Sequence, residues 1–267
     1  MIHEREELRN RLRDLNLTSI AEEFEAVALR AAAESLSHEA FLAELVRLEH
    51  AAKRSRRLDR LRKQSGLLIG KTFESLELSA FSPKIRQQLE PLWSGTFLDD
   101  ARNVIAVGRP GSGKTHLACA LGYRLIEEGV SVTFSSAVAL TQRLLAAKRD
   151  LRLPQEMLKL DRFACLILDD IGYVQHDREE MEVLFTLLAE RYERRSLIIT
   201  TNLVFSEWDQ IFKNPMTTLA AVDRVVHHST ILDLTDTESF RAKAAVAAKA
   251  KRIAVTGNGV PASVAVE

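Results

Sequence analysis

The stretch Gly108-Arg109-Pro110-Gly111-Ser112-Gly113-Lys114-Thr115 places a glycine, four residues and then Gly-Lys-Thr in eight consecutive positions. That is the spacing of a phosphate-binding loop. Glycines there permit close backbone approach, so successive N–H groups converge on phosphate oxygens at the positive end of a helix. Lys114 adds a mobile cation for the β and γ phosphates, and the Thr115 hydroxyl is a hard ligand suited to Mg2+. With His116 immediately after, these residues form the expected nucleotide-binding stretch. A glycine-rich turn that binds nothing is the alternative, and the context argues against it. An apolar run, Val104 to Val107, precedes the loop as a strand, and a helical pattern from Leu117 to Glu128 follows it.

Such a site needs an acid at the end of a neighbouring strand. Asp169 directly follows the apolar run Cys165-Leu166-Ile167-Leu168 and is expected to hold Mg2+. Asp170 is the candidate general base for an attacking water; its alternative is a cap or loop residue. The strand Leu197 to Thr200 ends in Thr201-Asn202, whose amide is placed to hold the water or the γ-phosphate if that strand lies between the other two. A simple turn is the alternative for Asn202. Arg224, in Ala221-Val222-Asp223-Arg224-Val225-Val226, is too distant to belong to the loop. It is a candidate to enter the nucleotide site of a neighbouring subunit and stabilise transferring charge, or else to pair with Asp223 or Glu207. Arg241, after the last strand, is placed to reach the phosphates of its own subunit, or else to be a solvated helix arginine.

These residues require a particular scaffold. Strand-like runs at Val104–Val107, Val130–Phe134, Cys165–Leu168, Leu197–Thr200 and Ile231–Leu234 alternate with helical patterns at 117–128, 138–148 and 179–194. Apolar strands without polar alternation, separated by helices, predict a parallel sheet covered on both faces. Gly129 is the expected helix stop. Residues 1 to 65 read as helices: Leu8, Leu12 and Leu15 recur at helical spacing, as do Ile20, Phe24 and Val27. A second run carries Phe41, Leu42, Leu45 and Leu48 and is broken by Gly66 and Gly70. The expected division is a helical domain at 1–65, a nucleotide-binding domain at 66–252 and a flexible tail at 253–267.

Composition sets the class. The 267 residues are 46% hydrophobic and 28% charged, which excludes a disordered or collagen-like chain. No apolar run approaches the roughly 18 to 20 residues of a membrane helix. The charged start, Met1 to Glu7, is not a secretory signal, so the chain reads as intracellular and soluble. Cys119 and Cys165 are too few for a disulfide framework or a zinc site and read as inert core thiols. His227 and His228 lack a third ligand nearby in sequence, and Trp93 and Trp208 read as core or interface residues.

Thirty-seven basic and 37 acidic residues give zero net charge, so no global field for nucleic acid exists. Charge is locally uneven. Arg47, Lys53, Arg54, Arg56, Arg57, Arg60, Arg62 and Lys63 stand against only Glu49 and Asp59 between positions 47 and 63. A basic helix of this kind neutralises phosphates with little sequence preference; a solvated helix or linker is the alternative. Lys148 and Arg149 form a second DNA candidate, and Arg241 to Arg252 is a further basic stretch.

The order of phosphate loop, paired acids, strand-tip Asn and then Arg resembles the AAA+ ATPases. Thr200-Thr201-Asn202-Leu203-Val204-Phe205-Ser206-Glu207-Trp208, Asp223-Arg224-Val225-Val226-His227-His228 and Glu238-Ser239-Phe240-Arg241 are similar to the IstB family. These are ATPase helper proteins of insertion-sequence transposons, related to DnaC-type helicase loaders. Leu15-Asn16-Leu17 and Glu22-Glu23-Phe24 also fit, so the resemblance spans about residues 5 to 252. It implies an α/β fold: a P-loop AAA+ domain with a parallel sheet flanked by helices, preceded by a small all-helical N-terminal domain for DNA binding and oligomerisation. Lys114 and Thr115 would be Walker A, Asp169 and Asp170 Walker B, Asn202 sensor 1, Arg224 the arginine finger and Arg241 sensor 2. Lys71-Thr72-Phe73 would cover the adenine, with Phe73 as its contact.

The implied activity is Mg2+-dependent ATP hydrolysis by a homo-oligomer with ATP sites between subunits. That oligomer would bind double-stranded DNA with little sequence preference and deliver it to a transposase encoded by the same element, in the bacterial cytoplasm. One departure stands out: the superfamily usually has Asp-Glu at Walker B, whereas Asp170 is one methylene shorter, which implies slow hydrolysis. The rival readings are a DnaC-like helicase loader, a small-molecule kinase, which would need an Arg-rich lid that the sequence lacks, and a nucleotide switch that does no chemistry.

Overall fold

Strands β1 (Asn103–Val107), β3 (Cys165–Asp169) and β4 (Ser196–Thr201) are buried along their whole length, which is why they carry Val, Ile and Leu without polar alternation. With β2 (Val132–Ser136) and β5 (Ser229–Asp233) they form a five-stranded parallel sheet in the order β2-β3-β4-β1-β5. The order sets β4 between the phosphate-loop strand and the Asp169 strand, the placement that the Asn202 reading required. The computed structural model describes residues 2–173, 178–208, 215–237 and 239–240.

Helices cover both faces of the sheet. Helix α5 (Lys114–Glu127) packs on it through Leu117, Leu121 and Leu125. Close approach there needs Gly122, where a Cβ would fall 2.8 Å from Ile167 Cδ1. Alternate residues of the same strands point the other way. Ile105, Leu166, Leu168, Leu197 and Ile199 join one core with Leu140 and Leu144 of α6 (Ala137–Arg149), Leu184 and Leu188 of α8 (Arg178–Arg191), Val225 of α9 (Pro215–Val226), and Trp208. Trp208 is fully buried, a core residue as expected.

Boundaries shift where turn chemistry intervenes. Gly129 takes the left-handed conformation, φ +80°, and β2 starts only at Val132 and runs to Ser136, whose Oγ accepts the Ala139 N–H to cap α6. Two helices carry no strong periodic signal and were not anticipated. One is α4 (Pro83–Trp93), capped by Ser82 and opened by Pro83; the other is the short α7 (Leu153–Asp161).

Two polar ties close the bottom of the sheet. Buried Asn103 accepts the Leu197 N–H at 2.9 Å and donates to Val225 O at 3.1 Å. Arg191, 2% exposed, donates to Leu160 O, Phe163 O and Ser196 O, each at 3.1 Å. Burial lowers its pKa to about 10, so it remains a cation at neutral pH. Cys119 and Cys165 are buried free thiols, and burial pushes them up to about 11 and about 12 respectively.

The chain divides into two compact units, residues 1–63 and 64–267. The first holds α1 (Ile2–Asp14), α2 (Thr18–Ala33) and most of α3 (His38–Ser65) around Ile20, Phe24, Val27 and Leu45. Leu17 cannot cap α2 with its side chain. Glu49 of α3 does so instead, accepting the Ser19 and Ile20 N–H groups at 2.8 and 3.1 Å. Gly66, at φ +65°, ends α3. Among the described residues no helix is long and apolar enough to cross a membrane.

Candidate nucleotide site

The carboxyl end of β1 runs into the loop 108–113, and α5 opens at Lys114. Gly111 and Gly113 adopt φ of +85° and +91°, open without strain only to glycine. A Cβ on Gly113 would also stand 3.0 Å from the Phe240 ring. Lys114 is 5% exposed, and its Nζ donates to Gly108 O at 2.8 Å and Arg109 O at 3.0 Å. The ammonium is thereby folded back over the loop that leads into its helix.

A cleft of about 230 Å³ opens beside this loop. The sequence-derived residues that line it are Pro110, Gly111, Gly113, Lys114, Thr115, His116, Asp170 and Asn202. Gly108 and Ser112 are buried beneath it, and Arg109 is exposed on the loop. Three lining residues were not singled out from the sequence as site residues: Lys71 and Phe240, read only as members of the segments 71–73 and 238–241, and Leu76. The Phe240 N–H donates to Gly111 O at 3.0 Å, which brings the segment after β5 back onto the loop.

Segment 71–76 is tied down by His116. Its Nε2 lies 3.1 Å from Thr72 O and 3.0 Å from Ser75 Oγ. Ser75 Oγ in turn donates to Gly70 O at 2.7 Å. The turn so formed directs Lys71 and Leu76 to the cleft. Phe73, expected as the adenine contact, is not among the lining residues. Its ring packs edge-on against Trp93, with centroids 4.9 Å apart and planes at 79°.

The acids sit at the end of β3. Asp169 is 7% exposed and accepts a 2.6 Å hydrogen bond from Thr200 Oγ1. Asp170 has φ +56° and donates its N–H to the same Thr200 oxygen at 2.8 Å. Asn202 follows β4, and its Oδ1 is buried without a hydrogen-bond partner. Ser112 Oγ is a second such atom at this end of the sheet. Buried polar atoms are normally satisfied, so an unmet acceptor at the cleft fits a site that receives a polar ligand. Thr115 and Asp169 supply the hydroxyl and carboxylate oxygens that a hard divalent cation such as Mg2+ takes.

Arg224 is elsewhere. It does not line the cleft, and it forms no ion pair with Asp223 or Glu207 among the described residues. Its guanidinium lies over the Phe185 ring of α8, 4.9 Å from the centroid, with Nη1 buried and unbonded. Arg241, the basic stretch to Arg252 and the tail 253–267 lie outside the described residues. His227 and His228 stack edge-on, 4.3 Å apart, and among the described residues no cluster of metal-ligating side chains exists.

The basic candidates are largely engaged. Arg47 pairs with Glu44 at 2.8 Å. Arg56 reaches Glu49 at 3.1 Å and Thr18 Oγ1 at 2.8 Å, and Lys53 is 3.7 Å from Glu49. Arg54, Arg57 and Arg60 are exposed on the same helix. Lys148 and Arg149 pair with Glu182 and Glu179 of α8, at 2.9 and 3.4 Å, a consequence of α6 and α8 packing side by side.

The family model for IstB-like ATP binding proteins matches residues 10–248. The chain belongs to this family. It is 41% identical over 242 residues to an insertion sequence ATP-binding protein of Sinorhizobium fredii, covering 90% of this chain and 81% of that one. It is 35% identical over 263 residues to the ATP-binding protein of insertion sequence IS21 from Pseudomonas aeruginosa, covering 98% and 96%. In fold this IstB-family chain is similar to AMPPCP-bound DnaA from Aquifex aeolicus, with a TM-score of 0.53, 17% identity and coverage of 71% and 57%. It is likewise similar to domain III of Thermotoga maritima DnaA, with a TM-score of 0.54, 15% identity and coverage of 74% and 79%. The sheet and its helices are thus an AAA+ P-loop fold, as the sequence implied.

Proposed function

We propose that the protein is a Mg2+-dependent ATPase that oligomerises on double-stranded DNA and assists the transposase of its insertion sequence in engaging target DNA. The observation that carries the reading is the convergence of Lys114, Thr115, Asp170 and Asn202 on one cleft in a chain of the IstB family. Loop N–H groups and Lys114 would hold the phosphates, and Thr115 and Asp169 would hold Mg2+. The metal supplies charge neutralisation on the phosphates. Asp170 would take a proton from the attacking water while Asn202 orients it.

Arg224 acts in this reading from a neighbouring subunit. Within its own protomer it rests on Phe185 and does not line the cleft, so in this reading it serves the nucleotide of another copy. DNA contact is assigned to the exposed arginines of α3, Arg54, Arg57 and Arg60, because eight basic residues stand against two acids between positions 47 and 63 of this chain. Phosphate contacts of this kind bring little sequence preference.

The test is size analysis with duplex DNA in the absence of nucleotide, with ADP and with a slowly hydrolysed ATP analogue. A large complex that requires both duplex and the analogue is expected; a monomer indifferent to DNA in all three states refutes the proposal. Arg224→Ala should bind ATP without hydrolysing it, and mixing it with Lys114→Ala should restore part of the activity.

A further inference from the structure

Thr200 is fully buried on β4 and stands between Asp169, the last residue of β3, and Asp170, which follows it. An ionised carboxylate only accepts, and an amide N–H only donates. The single hydroxyl proton is therefore committed to Asp169 Oδ1 at 2.6 Å, and the hydroxyl oxygen receives the Asp170 N–H at 2.8 Å. The strand register explains the meeting. Leu168 of β3 pairs with Ile199 of β4, so one step further sets Thr200 beside Asp169. Two residues on, Asn202 enters the cleft with Asp170.

Both acids need such a hold. A carboxylate turns easily about its last torsion, which is broad rather than confined to narrow wells. Asp170 occupies φ +56°, a region that non-glycine residues seldom adopt. One hydroxyl constrains the first through its side chain and the second through its backbone.

We propose that Thr200 is a positioning residue for ATP hydrolysis, setting the orientation of Asp169 and the backbone of Asp170. This inference rests on the ATPase reading above. Thr200 does not line the cleft, so it acts through the two acids. Valine matches threonine in shape and strand preference, so Thr200→Val removes the two hydrogen bonds of the hydroxyl, and the Mg2+ response separates lost orientation of Asp169 from lost stability.

The test uses the full chain with Thr200→Val and Thr200→Ser. ATP turnover with duplex DNA supplies kcat and KM, and calorimetry supplies the affinity for a slowly hydrolysed ATP analogue, with Mg2+ and with EDTA. Thr200→Val is expected to lower kcat by about tenfold to a hundredfold, the scale of a misplaced catalytic group. Its affinity in EDTA should stay at the wild-type level, the affinity gained on adding Mg2+ should shrink, and KM measured with Mg2+ should rise by the same factor. Thr200→Ser should restore both readouts. Should Thr200→Val not fold, Thr200→Cys, with its weaker donor, takes its place and must show lower kcat and a smaller Mg2+ response than Thr200→Ser; a cysteine variant equal to wild type overturns the proposal. Wild-type kcat and Mg2+ response in the valine variant, or a serine variant as impaired as valine, overturns the role of Thr200 alone. A wild-type chain that binds the analogue without turnover removes the ATPase reading and with it the role in hydrolysis, while the Mg2+ response of Thr200→Val against wild type still decides whether Thr200 orients Asp169. A wild-type chain that does not bind the analogue overturns both.

Discussion

Gly172 offers the sharpest test of how the site is arranged. It lies on the short turn after Asp170, Ile171–Tyr173, and its φ is not in the left-handed region, so alanine fits its backbone. What alanine does not fit is the space. A Cβ at Gly172 would fall well inside van der Waals contact with Asn202 Oδ1, and 3.0 Å from Leu203 Cγ, where ordinary contact begins near 3.4 Å. The Asn202 amide must retreat by about 1 Å, a displacement that can cost about a hundredfold when it misplaces a reacting group. The amide is the end of a short side chain, and its Oδ1 has no protein partner to lose. The remaining cost is the crowding of Leu203, which packs against the core, so stability should fall by about 1–3 kcal/mol. Gly172→Ala is thus expected to lower kcat for ATP by about tenfold to a hundredfold, with KM almost unmoved and the thermal midpoint lowered by only a few degrees. Asn202→Ala should do the same, and the double variant should be no worse than either single one, because both changes remove the same placed amide. Unchanged turnover in Gly172→Ala, or additive losses in the double variant, would refute the reasoning; a collapse of the thermal midpoint would place Gly172 in folding instead.

Other outcomes follow from the same contacts. Asp170→Asn should abolish turnover while ATP binding persists. Asp170→Glu should bind ATP but lose about 1 kcal/mol of stability, because glutamate tolerates the left-handed backbone at φ +56° less well; unchanged turnover in both variants would remove Asp170 from the mechanism. Glu49→Ala leaves the Ser19 and Ile20 N–H groups without their cap. At about 1–3 kcal/mol, it should lower the first melting transition by several degrees, while Glu49→Gln, which can still accept, should lower it less. The two thiols resist ionisation when folded, at about 11 and about 12 against an ordinary 9.0. The stability they contribute is complete below about pH 9 and is lost as pH rises toward 11 and 12, because the unfolded chain ionises first. Native protein at pH 8 should leave both thiols unreactive to maleimide, and urea should expose both; labelling of the native protein would contradict their burial.

The nucleotide loop, the acids and the Asn202 strand tip were legible because their chemistry is local. Each is carried by a run of adjacent residues with a fixed relation to the end of one strand. The parallel sheet was legible for a similar reason, since strands buried on both faces must be continuously apolar. Even β4's position between β1 and β3 was anticipated, through the chemistry that Asn202 would otherwise lack.

What the tertiary structure alone decided involves partners far apart in the chain. Thr200 looks like one more β-branched strand residue until the register of β3 and β4 sets its hydroxyl between Asp169 and Asp170. Glu49 reads as a break in a basic run, yet it caps a helix that begins thirty-one positions earlier, at Thr18. Lys148 and Arg149 read as a basic patch until α8 brings Glu182 and Glu179 against them. Phe73 was placed at the adenine by the family resemblance of its segment, but ring packing is settled by which surface lies opposite, and that surface is Trp93. Local patterns specify which chemistry a segment can perform. The order and register of the strands, which depend on burying every apolar face at once, select the residues that hold it in place.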